Sequence, residues 1–207
     1  MIIAGAKGFA KELLQVLCQL DMDKNISFFD DISSDLPDKL YGKFPIFRSV
    51  RDVGEYFRKH DSRYAIGVGK PKDRFQLYEK MNLAGGELVN VISPKSEIGN
   101  YNTNIGKGVN VLTAAIIEND VIVGDACLIG NSCIIGHDTK IGAFTEISPG
   151  VIVSGRCKIG CFCSIGAGSV ILPDISIGDN VIIGAGSVVT KNLQDGCTVM
   201  GVPAKRI

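Results

Sequence analysis

The stretch VIVGDACLIGNSCIIGHDTKIG, residues 121–142, repeats a pattern of six residues in which an isoleucine or valine is often followed by glycine. The six-residue step continues in both directions. From Ile105 to Val189, fifteen consecutive positions at this spacing are all Ile or Val. We call this repeated Ile or Val the anchor. The residue after the anchor is Gly in nine of the fifteen cases. A short, fixed period of this kind is typical of a solenoid, in which each repeat packs only on its neighbours.

The period predicts a β-solenoid with three hexads, or eighteen residues, in each triangular coil. Alternate side chains of a short strand face the same side, so the anchor and the residue two before it should face the core. We expect the Gly after the anchor to let the backbone turn a corner, and the residue after that Gly to point outward. Four cysteines fall at inward positions and are expected to be buried, reduced thiols: Cys127, Cys133, Cys157 and Cys163.

The first part of the chain, residues 1–92, is predicted to form a Rossmann-like α/β domain, followed by the solenoid in residues 93–207. The apolar stretches "MIIAG", "NISFFDD" and "RYAIGVGK" are predicted strands. They alternate with the helical patterns "AKGFAKELLQVLCQLD" and "PKDRFQLYEKM". Alternation of strands and helices predicts a small parallel sheet.

Composition argues against several classes of partner. The chain has 22 Lys and Arg and 22 Asp and Glu, so it lacks the excess positive charge that nucleic acids and anionic membranes attract. It has no apolar run of membrane-spanning length, and its start lacks the layout of a signal peptide. We therefore expect a cytoplasmic protein that binds neither nucleic acid nor membranes.

His137 lies two residues after the anchor Ile135 and is therefore expected at a corner, facing outward. Eighteen residues further on, at the same corner, is Gly155, whose main-chain N–H can approach a ligand closely. An imidazole and an amide one strand spacing apart can abstract a proton and hold a developing oxyanion. Asp138 follows directly, and its carboxylate can fix the imidazole tautomer. We interpret this corner as catalytic; a surface histidine without a role is the alternative.

Two other chemistries are not favoured. A zinc site in a β-helix needs several histidines, and the solenoid has one per chain, so no metal is expected. Cys161 is predicted at a corner, where it is a possible nucleophile, but direct transfer needs no covalent acyl-enzyme.

The hexad repeat resembles the left-handed parallel β-helix of hexapeptide acyltransferases. More specifically, the chain resembles the sialic-acid O-acetyltransferase and UDP-amino-sugar N-acetyltransferase family in the segments "IIAGAKGFAKE", "FFDD", "AIGVGKPKDR", "GHDTKIGAFTEISPG", "IGAGSVVTKN" and "GVPAK". The resemblance covers essentially the whole chain. It implies a homotrimer with each active site between two subunits, acetyl-CoA as co-substrate, and a sugar nucleotide held by the N-terminal domain.

The resemblance also implies roles for individual residues. His137 corresponds to the group that accepts a proton from the acceptor amine or hydroxyl, and Asp138 to the acid that makes it more basic. A corner column at eighteen-residue intervals, starting at Asn131 and passing Pro149, would line the acetyl-CoA cleft. The positions implied for acetyl-CoA are Glu146, Gly155, Ala167, Ala185, Lys191 and Pro203. Glu146 departs from the family, which commonly has His there; an ionised carboxylate cannot donate a hydrogen bond to the acyl donor.

The expected sugar-nucleotide site lies in the first domain. Two glycines between the first strand and helix, in "GAKGFA", would let main-chain N–H groups hold an anion, although a tight βα turn is the alternative. The paired acids after the second strand can accept hydrogen bonds from a base or ribose, with solvated acids as the alternative. The expected residues are Gly5, Lys7, Gly8, Phe9, Asp30, Asp31 and Gly67. Phe9 stands where family members often have His.

The resemblance, together with the His–Asp corner, implies an enzyme of bacterial glycan precursor synthesis. It would transfer acetyl from acetyl-CoA directly to the amine of a UDP-linked amino-deoxy sugar. O-acetylation of sialic acid or another sugar hydroxyl is the alternative reaction. A non-catalytic solenoid scaffold or a sugar-nucleotide-binding module is the alternative of another class, against which the His–Asp pair argues.

Overall fold

The computed structural model describes residues 1–207, which fold into two compact units, Met1–Val91 and Ile92–Ile207. The first unit is α/β and the second is a parallel β-solenoid, in agreement with the predicted order of fold classes. None of the three helices is long and apolar enough to cross a membrane.

The first unit contains six strands and three helices. In chain order these are β1 (Ile2–Ala4), α1 (Gly8–Gln19), β2 (Ser27–Phe29), β3 (Lys39–Leu40), β4 (Phe44–Phe47), α2 (Val50–Lys59), β5 (Arg63–Ile66), α3 (Pro71–Leu83) and β6 (Glu87–Leu88). The sheet order is β3-β4-β2-β1-β5-β6, and all neighbours are parallel except the β3–β4 pair.

The central strands of this sheet are fully buried, which is why they read as short apolar runs rather than alternating ones. Helix α1 covers the sheet with an apolar stripe that includes Leu13 and Leu17. Helix α2 begins at a Ser49 cap, whose hydroxyl accepts the Asp52 N–H at 3.2 Å. Strands β3, β4 and β6 and helix α2 were not predicted from the sequence.

The second unit is built from strands of two or three residues. They are β7 (Val91–Ile92), β8 (Glu97–Ile98), β9 (Asn104–Ile105), β10 (Asn110–Val111), β11 (Ile116–Ile117), β12 (Ile122–Val123), β13 (Leu128–Ile129), β14 (Ile134–Ile135), β15 (Lys140–Ile141), β16 (Glu146–Ile147), β17 (Ile152–Val153), β18 (Lys158–Ile159), β19 (Ser164–Ile165), β20 (Val170–Ile171), β21 (Ser176–Ile177), β22 (Ile182–Ile183), β23 (Val188–Val189), β24 (Thr198–Met200) and β25 (Lys205–Arg206).

Strands β7 to β24 form three parallel sheets, which we call sheets C, D and E, one for each side of the triangular coil; β25 pairs antiparallel with β24. Sheet C runs through β10, β13, β16, β19 and β22; sheet D through β11, β14, β17, β20 and β23; sheet E through β12, β15, β18 and β21. From β9 to β23, partners are eighteen residues apart, as when Ile135 pairs with Val153. The anchors and the residues two before them form one buried core, which contains the four inward cysteines.

The role expected for the glycine after the anchor is wrong in detail. The left-handed backbone conformation lies three residues after the anchor, at every sixth residue from Gly108 to Gly186, and also one period earlier at Asn102. The glycine after the anchor is needed for close approach of coils: a Cβ at Gly136 would lie 2.6 Å from the Gly155 nitrogen. The glycine therefore sets the coil spacing, while the next residues make the turn.

The last coil is shorter than the others. Ile183 pairs with Val199, sixteen residues later, and Ile177 bridges to Leu193 at the same separation. The eighteen-residue rule therefore fails at this end, and Gly201 rather than Pro203 stacks above Ala185. The column position predicted for Pro203 is thus wrong.

Candidate functional site

All seven residues predicted for sugar-nucleotide binding line one pocket of about 400 Å³ in the first unit. The pocket opens at the carboxyl ends of β2, β1 and β5. Ligands bind at such a point in open parallel sheets, because successive chain connections leave to opposite sides there. Gly5, Gly67 and Asp30 directly follow these strands, and Lys7, Gly8 and Phe9 begin the first helix.

Two of the glycines are required by the protein itself. Gly5 has φ of 117°, and a Cβ there would lie 2.7 Å from the Gly67 carbonyl oxygen. A Cβ at Gly67 would lie 2.6 Å from the Ile3 side chain. Gly8 differs, because a Cβ there meets nothing within 4 Å. Gly8 is therefore free to be a site of close approach for a ligand rather than for the chain.

The start of α1 has the features of an anion site. Its cap residue, Lys7, makes no side-chain capping hydrogen bond, and the first turn contains no acidic residue. The first N–H groups of a helix have no partner within the helix, and the helix dipole favours negative charge there. The Lys7 ammonium lies nearby in sequence but is paired with Asp35 at 2.9 Å.

The two predicted acids have different environments. The Asp30 carboxylate accepts hydrogen bonds from the main chain of Ile32 and Ser33 and from the Ser33 hydroxyl, and so shapes the loop after β2. Asp31 forms an ion pair with Lys80 at 2.6 Å. The structure therefore gives Asp30 a structural role that sequence reasoning did not foresee.

Sequence reasoning also missed one wall of the pocket. Helix α3 contributes Asp73, Gln76, Leu77 and Lys80. Their spacing of three, four and seven residues is that of one helical face, a signal present in the sequence. The Lys80 ammonium also lies 5.6 Å from the centre of the Phe29 ring.

His137 follows β14 and projects outward from the corner between sheets D and E, with half of its side chain exposed. Its Nδ1 lies 2.7 Å from Asp138 Oδ2. Asp138 adopts φ of 59°, and this left-handed turn brings two neighbouring side chains together. Because an ionised carboxylate only accepts, Nδ1 donates to it, and Nε2 of the neutral ring is left as the acceptor.

Two further features determine where the His137 side chain lies. The Glu118 carboxylate, one coil below, accepts the His137 main-chain N–H at 2.9 Å. A Cβ at Gly155, one coil above, would lie 2.7 Å from His137 Nε2, so only glycine leaves room for the ring. Together with neighbouring residues of sheet D, His137 and Glu118 line a pocket of about 330 Å³.

The main-chain N–H of Gly155 is a free donor at this corner. At four equivalent positions the N–H bonds a side chain of the next coil, as Cys161 N–H does with Asp179 at 2.7 Å. Above Gly155 stands Pro173, whose side chain has no acceptor, and the Gly155 N–H has no partner in the chain. The same holds for the N–H groups of Ala167 and Ala185.

The residues predicted for acetyl-CoA do not lie together in one chain. Gly155 and Lys191 share the corner of His137, between sheets D and E. Ala167 and Ala185 lie at the preceding corner, between sheets C and D, where both are exposed. Glu146 lies in strand β16 of sheet C, between Leu128 and Ser164. Sheet D separates the two corners.

The cysteines do not join this site. Burial raises the pKa of Cys133 and of Cys163 to about 11, so both stay protonated near neutral pH. Cys161 is partly exposed but lies at the third corner, between sheets E and C. It is therefore not adjacent to His137 in the same chain.

Comparison with known proteins gives two family matches. Residues 1–81 match the PglD N-terminal domain, and residues 156–191 match the bacterial transferase hexapeptide, six repeats. A search of curated proteins found no significant match.

Solved structures are similar over the whole chain. One is a histidine-to-asparagine mutant of perosamine N-acetyltransferase from Caulobacter crescentus in complex with CoA and GDP-perosamine. It shares 26% identity, with a TM-score of 0.92, over 100% of this chain and 95% of that one. Another is the acetyltransferase domain of PglB from Neisseria gonorrhoeae with acetyl coenzyme A, at 27% identity and a TM-score of 0.90, over 100% and 98%. WeeI from Acinetobacter baumannii, at 22% identity and a TM-score of 0.72 over 100% of both chains, shares the fold.

These matches confirm the left-handed β-helix and the acyltransferase assignment, and they argue against a non-catalytic scaffold. The chain therefore combines a PglD-type N-terminal domain with the hexapeptide repeats of bacterial transferases, in agreement with its predicted resemblance to the UDP-amino-sugar N-acetyltransferases of the hexapeptide type.

Proposed function

We propose that the protein transfers the acetyl group of acetyl-CoA to the amine of a nucleotide-linked amino-deoxy sugar, with UDP as the expected nucleotide and His137 as general base. The observation that carries this proposal is the 2.7 Å contact between His137 Nδ1 and Asp138. It orients an imidazole whose Nε2 is free to accept a proton. The N-acetyltransferase activity named for the Caulobacter relative favours an amine over a hydroxyl acceptor.

The reaction needs one proton acceptor and one oxyanion donor. The acceptor nitrogen attacks the thioester carbonyl, forming the C–N bond, and its proton passes to His137 Nε2. The Gly155 N–H, which has no partner in the chain, would bind the oxygen that gains charge. Collapse of the tetrahedral intermediate breaks the C–S bond, and the imidazolium returns its proton to the leaving thiolate. No covalent acyl-enzyme is required.

For acetyl-CoA we propose the corner that carries Ala167 and Ala185. Their unpartnered N–H groups can donate to amide carbonyls of the pantetheine arm, and their small side chains leave the backbone accessible. Structures of relatives hold CoA or acetyl coenzyme A. Glu146 lacks the donor that a histidine would supply, so in our proposal it does not bind the acetyl oxygen through its side chain.

We further propose a homotrimer in which each site uses two subunits. The outward residues of sheet D form an apolar ladder: Ile116, Ile134, Ile152, Val170 and Val188. In sheet E the outward neighbours of Ile122 are Asn104 and Lys140, and Lys158 and Ser176 follow. An apolar face between the two corners is best covered by another copy, which would bring the Ala167 corner of one subunit to the His137 corner of another.

The proposed nucleotide-sugar site is the pocket at the carboxyl ends of β1, β2 and β5. The uncapped start of α1 would bind the diphosphate through its N–H groups. The open space over Gly8 would admit the phosphate oxygens closely. Lys80, paired with Asp31, supplies a second positive charge on the opposite wall.

The test is a panel of acceptors with acetyl-CoA: UDP-, GDP- and dTDP-linked amino-deoxy sugars and free sialic acid. We expect thiol release with an amino sugar, and a product that resists mild alkali because it is an amide. Release only with sialic acid, giving an alkali-labile ester, would establish O-acetylation instead. The absence of both turnover and acetyl-CoA binding would contradict the proposal.

A further inference from the structure

An ionic ladder runs up the corner of the solenoid beside His137. Asp138, Arg156 and Asp174 occupy equivalent positions in three successive coils, and all have left-handed φ angles of 59°, 60° and 64°. Equivalent positions of stacked coils lie about 4.8 Å apart. The guanidinium of Arg156 thus has a carboxylate one coil below it and another one coil above it.

Arg156 is bound to the upper carboxylate. Its Nε and Nη2 donate to the two oxygens of Asp174 at 2.6 and 2.8 Å, a bidentate pair. This hydrogen bonding holds the pKa of the Asp174 carboxyl below its ordinary value, so the pair persists across the neutral range. The main chain of Arg156 is also fixed, because its N–H donates to the His137 carbonyl at 2.8 Å.

The lower carboxylate already has a function in the proposed reaction. Asp138 Oδ2 accepts from His137 Nδ1, and its negative charge stabilises the imidazolium that forms during proton transfer. A guanidinium bound to Asp138 would compete for the same oxygens and place a positive charge beside the imidazole. The imidazole would then be a weaker base.

We infer that Asp174 is a positioning residue: it binds Arg156 from above and thereby keeps the guanidinium off Asp138, which remains free to serve His137. This inference rests on the proposed role of His137 as general base. Asp174 acts through Arg156, so its effect must vanish when the arginine is absent.

Other charged groups near His137 stay the same in the test. Glu118 accepts the His137 main-chain N–H from the coil below, and Asp120, below Asp138, is bonded to Asn102. Lys140 and Lys158 project from sheet E, and Lys191 stands three coils above in the same column. None of them bridges Asp138 and Asp174. A substitution of Arg156 alone therefore separates the effect of the ionic ladder from the electrostatic effect of the other charged groups.

The experiment compares four proteins: wild type, Asp174→Asn, Arg156→Gln and the double variant. Asparagine tolerates the left-handed backbone of position 174, so the first variant removes charge without straining the turn. We expect Asp174→Asn to lower kcat/KM by roughly 2- to 5-fold at neutral pH, the range of an exposed ion pair. The acid limb of its pH profile should move to lower pH, because the nearby cation opposes protonation of the imidazole.

The double variant and Arg156→Gln alone should both have kcat/KM within about twofold of wild type. KM for acetyl-CoA should stay constant. Thermal unfolding measurements check that all four proteins are folded. Wild-type activity for Asp174→Asn would overturn the inference. So would a double variant as impaired as Asp174→Asn, since the loss would then come from the field of Asp174 itself or from local structure. A fifth protein, His137→Ala, separates failure of this inference from failure of the proposed function: if it is as active as wild type, the proposed function fails.

Discussion

At the scale of single residues, the proposed catalytic corner depends on a contact between neighbours in the chain that an extended strand would forbid. Successive side chains of a strand point to opposite faces. His137 and Asp138 meet at 2.7 Å because Asp138 has a left-handed φ of 59°. Such a φ is uncommon in non-glycine residues, and aspartate and asparagine tolerate it better than most. The same residue thus makes the turn and supplies the carboxylate.

Replacing Asp138 by asparagine separates these two functions. Asparagine accepts the backbone conformation, so we expect an unchanged unfolding temperature. It carries no negative charge to stabilise the imidazolium and can present its NH2 group to Nδ1, which favours the wrong tautomer. We expect kcat/KM to fall about 10- to 100-fold, less than for a buried triad acid because this pair is half exposed. Kinetics with thermal unfolding measure both effects; full activity in this variant would show that Asp138 only shapes the turn.

The sequence predicted correctly the residues whose place is set by the backbone. It predicted less well the residues whose place is set by side-chain packing. The seven residues predicted for the nucleotide-sugar pocket lie together, because strand ends of one parallel sheet meet at one edge. Lys80 was missed because it reaches the pocket from the far end of a helix. The pairing of Arg156 with Asp174 rather than Asp138 depends on a side-chain rotamer, which the hexad period does not encode.

At the scale of elements, the hexad assigns different physical tasks to neighbouring positions. The anchor fills the core, the next residue sets the distance between coils, and the third residue after the anchor makes the turn. The role of the anchor in the core was predicted from the sequence, since burial selects Ile and Val. The role of the next residue was predicted wrongly, because glycine is common both where φ is positive and where backbones approach closely.

Two glycine substitutions at the same corner should therefore have opposite consequences. A methyl at Gly155 meets the exposed His137 ring, which can swing away, so Gly155→Ala should fold normally. Activity should fall about 100-fold, because the displaced imidazole no longer reaches its substrate. A methyl at Gly136 meets main-chain atoms of the next coil, so Gly136→Ala should lower the free energy of unfolding by about 1–3 kcal/mol. Equal loss of stability in both variants would refute this account.

At the scale of the whole molecule, the residues proposed for proton transfer and those proposed for acetyl-CoA lie on corners that one chain cannot bring together. His137 and Ala167 are separated by the apolar outer face of sheet D, and a second copy is the proposed way to join them. The six-residue period predicts the solenoid but does not show which of its faces contacts another copy. The apolar face of sheet D is recognised only from the stacking of residues that are eighteen apart.

Two isoleucines with similar exposure test the proposed assembly. Ile152, on sheet D, is 39% exposed, and Ile122, on sheet E, is 42% exposed. Ile152→Glu should place a charge inside the subunit interface, dissociate the trimer and abolish turnover although His137 is intact. Ile122→Glu, beside Lys140, should remain trimeric and active. Light scattering measures the oligomeric state, and kinetics measure turnover. A monomeric Ile122→Glu variant, or an Ile152→Glu variant that is trimeric and active, would contradict the proposed trimer through sheet D.

The most direct test of the central claim is thiol release from acetyl-CoA by wild type, His137→Ala and Cys161→Ser, with the preferred amino-sugar acceptor and with acetyl-CoA binding measured in parallel. We expect His137→Ala to bind acetyl-CoA normally and to lose turnover by roughly 10²- to 10⁴-fold, the contribution of a general base. Cys161→Ser should retain wild-type turnover. Loss of turnover in Cys161→Ser with retention in His137→Ala would contradict direct transfer and assign the chemistry to a covalent acyl-cysteine.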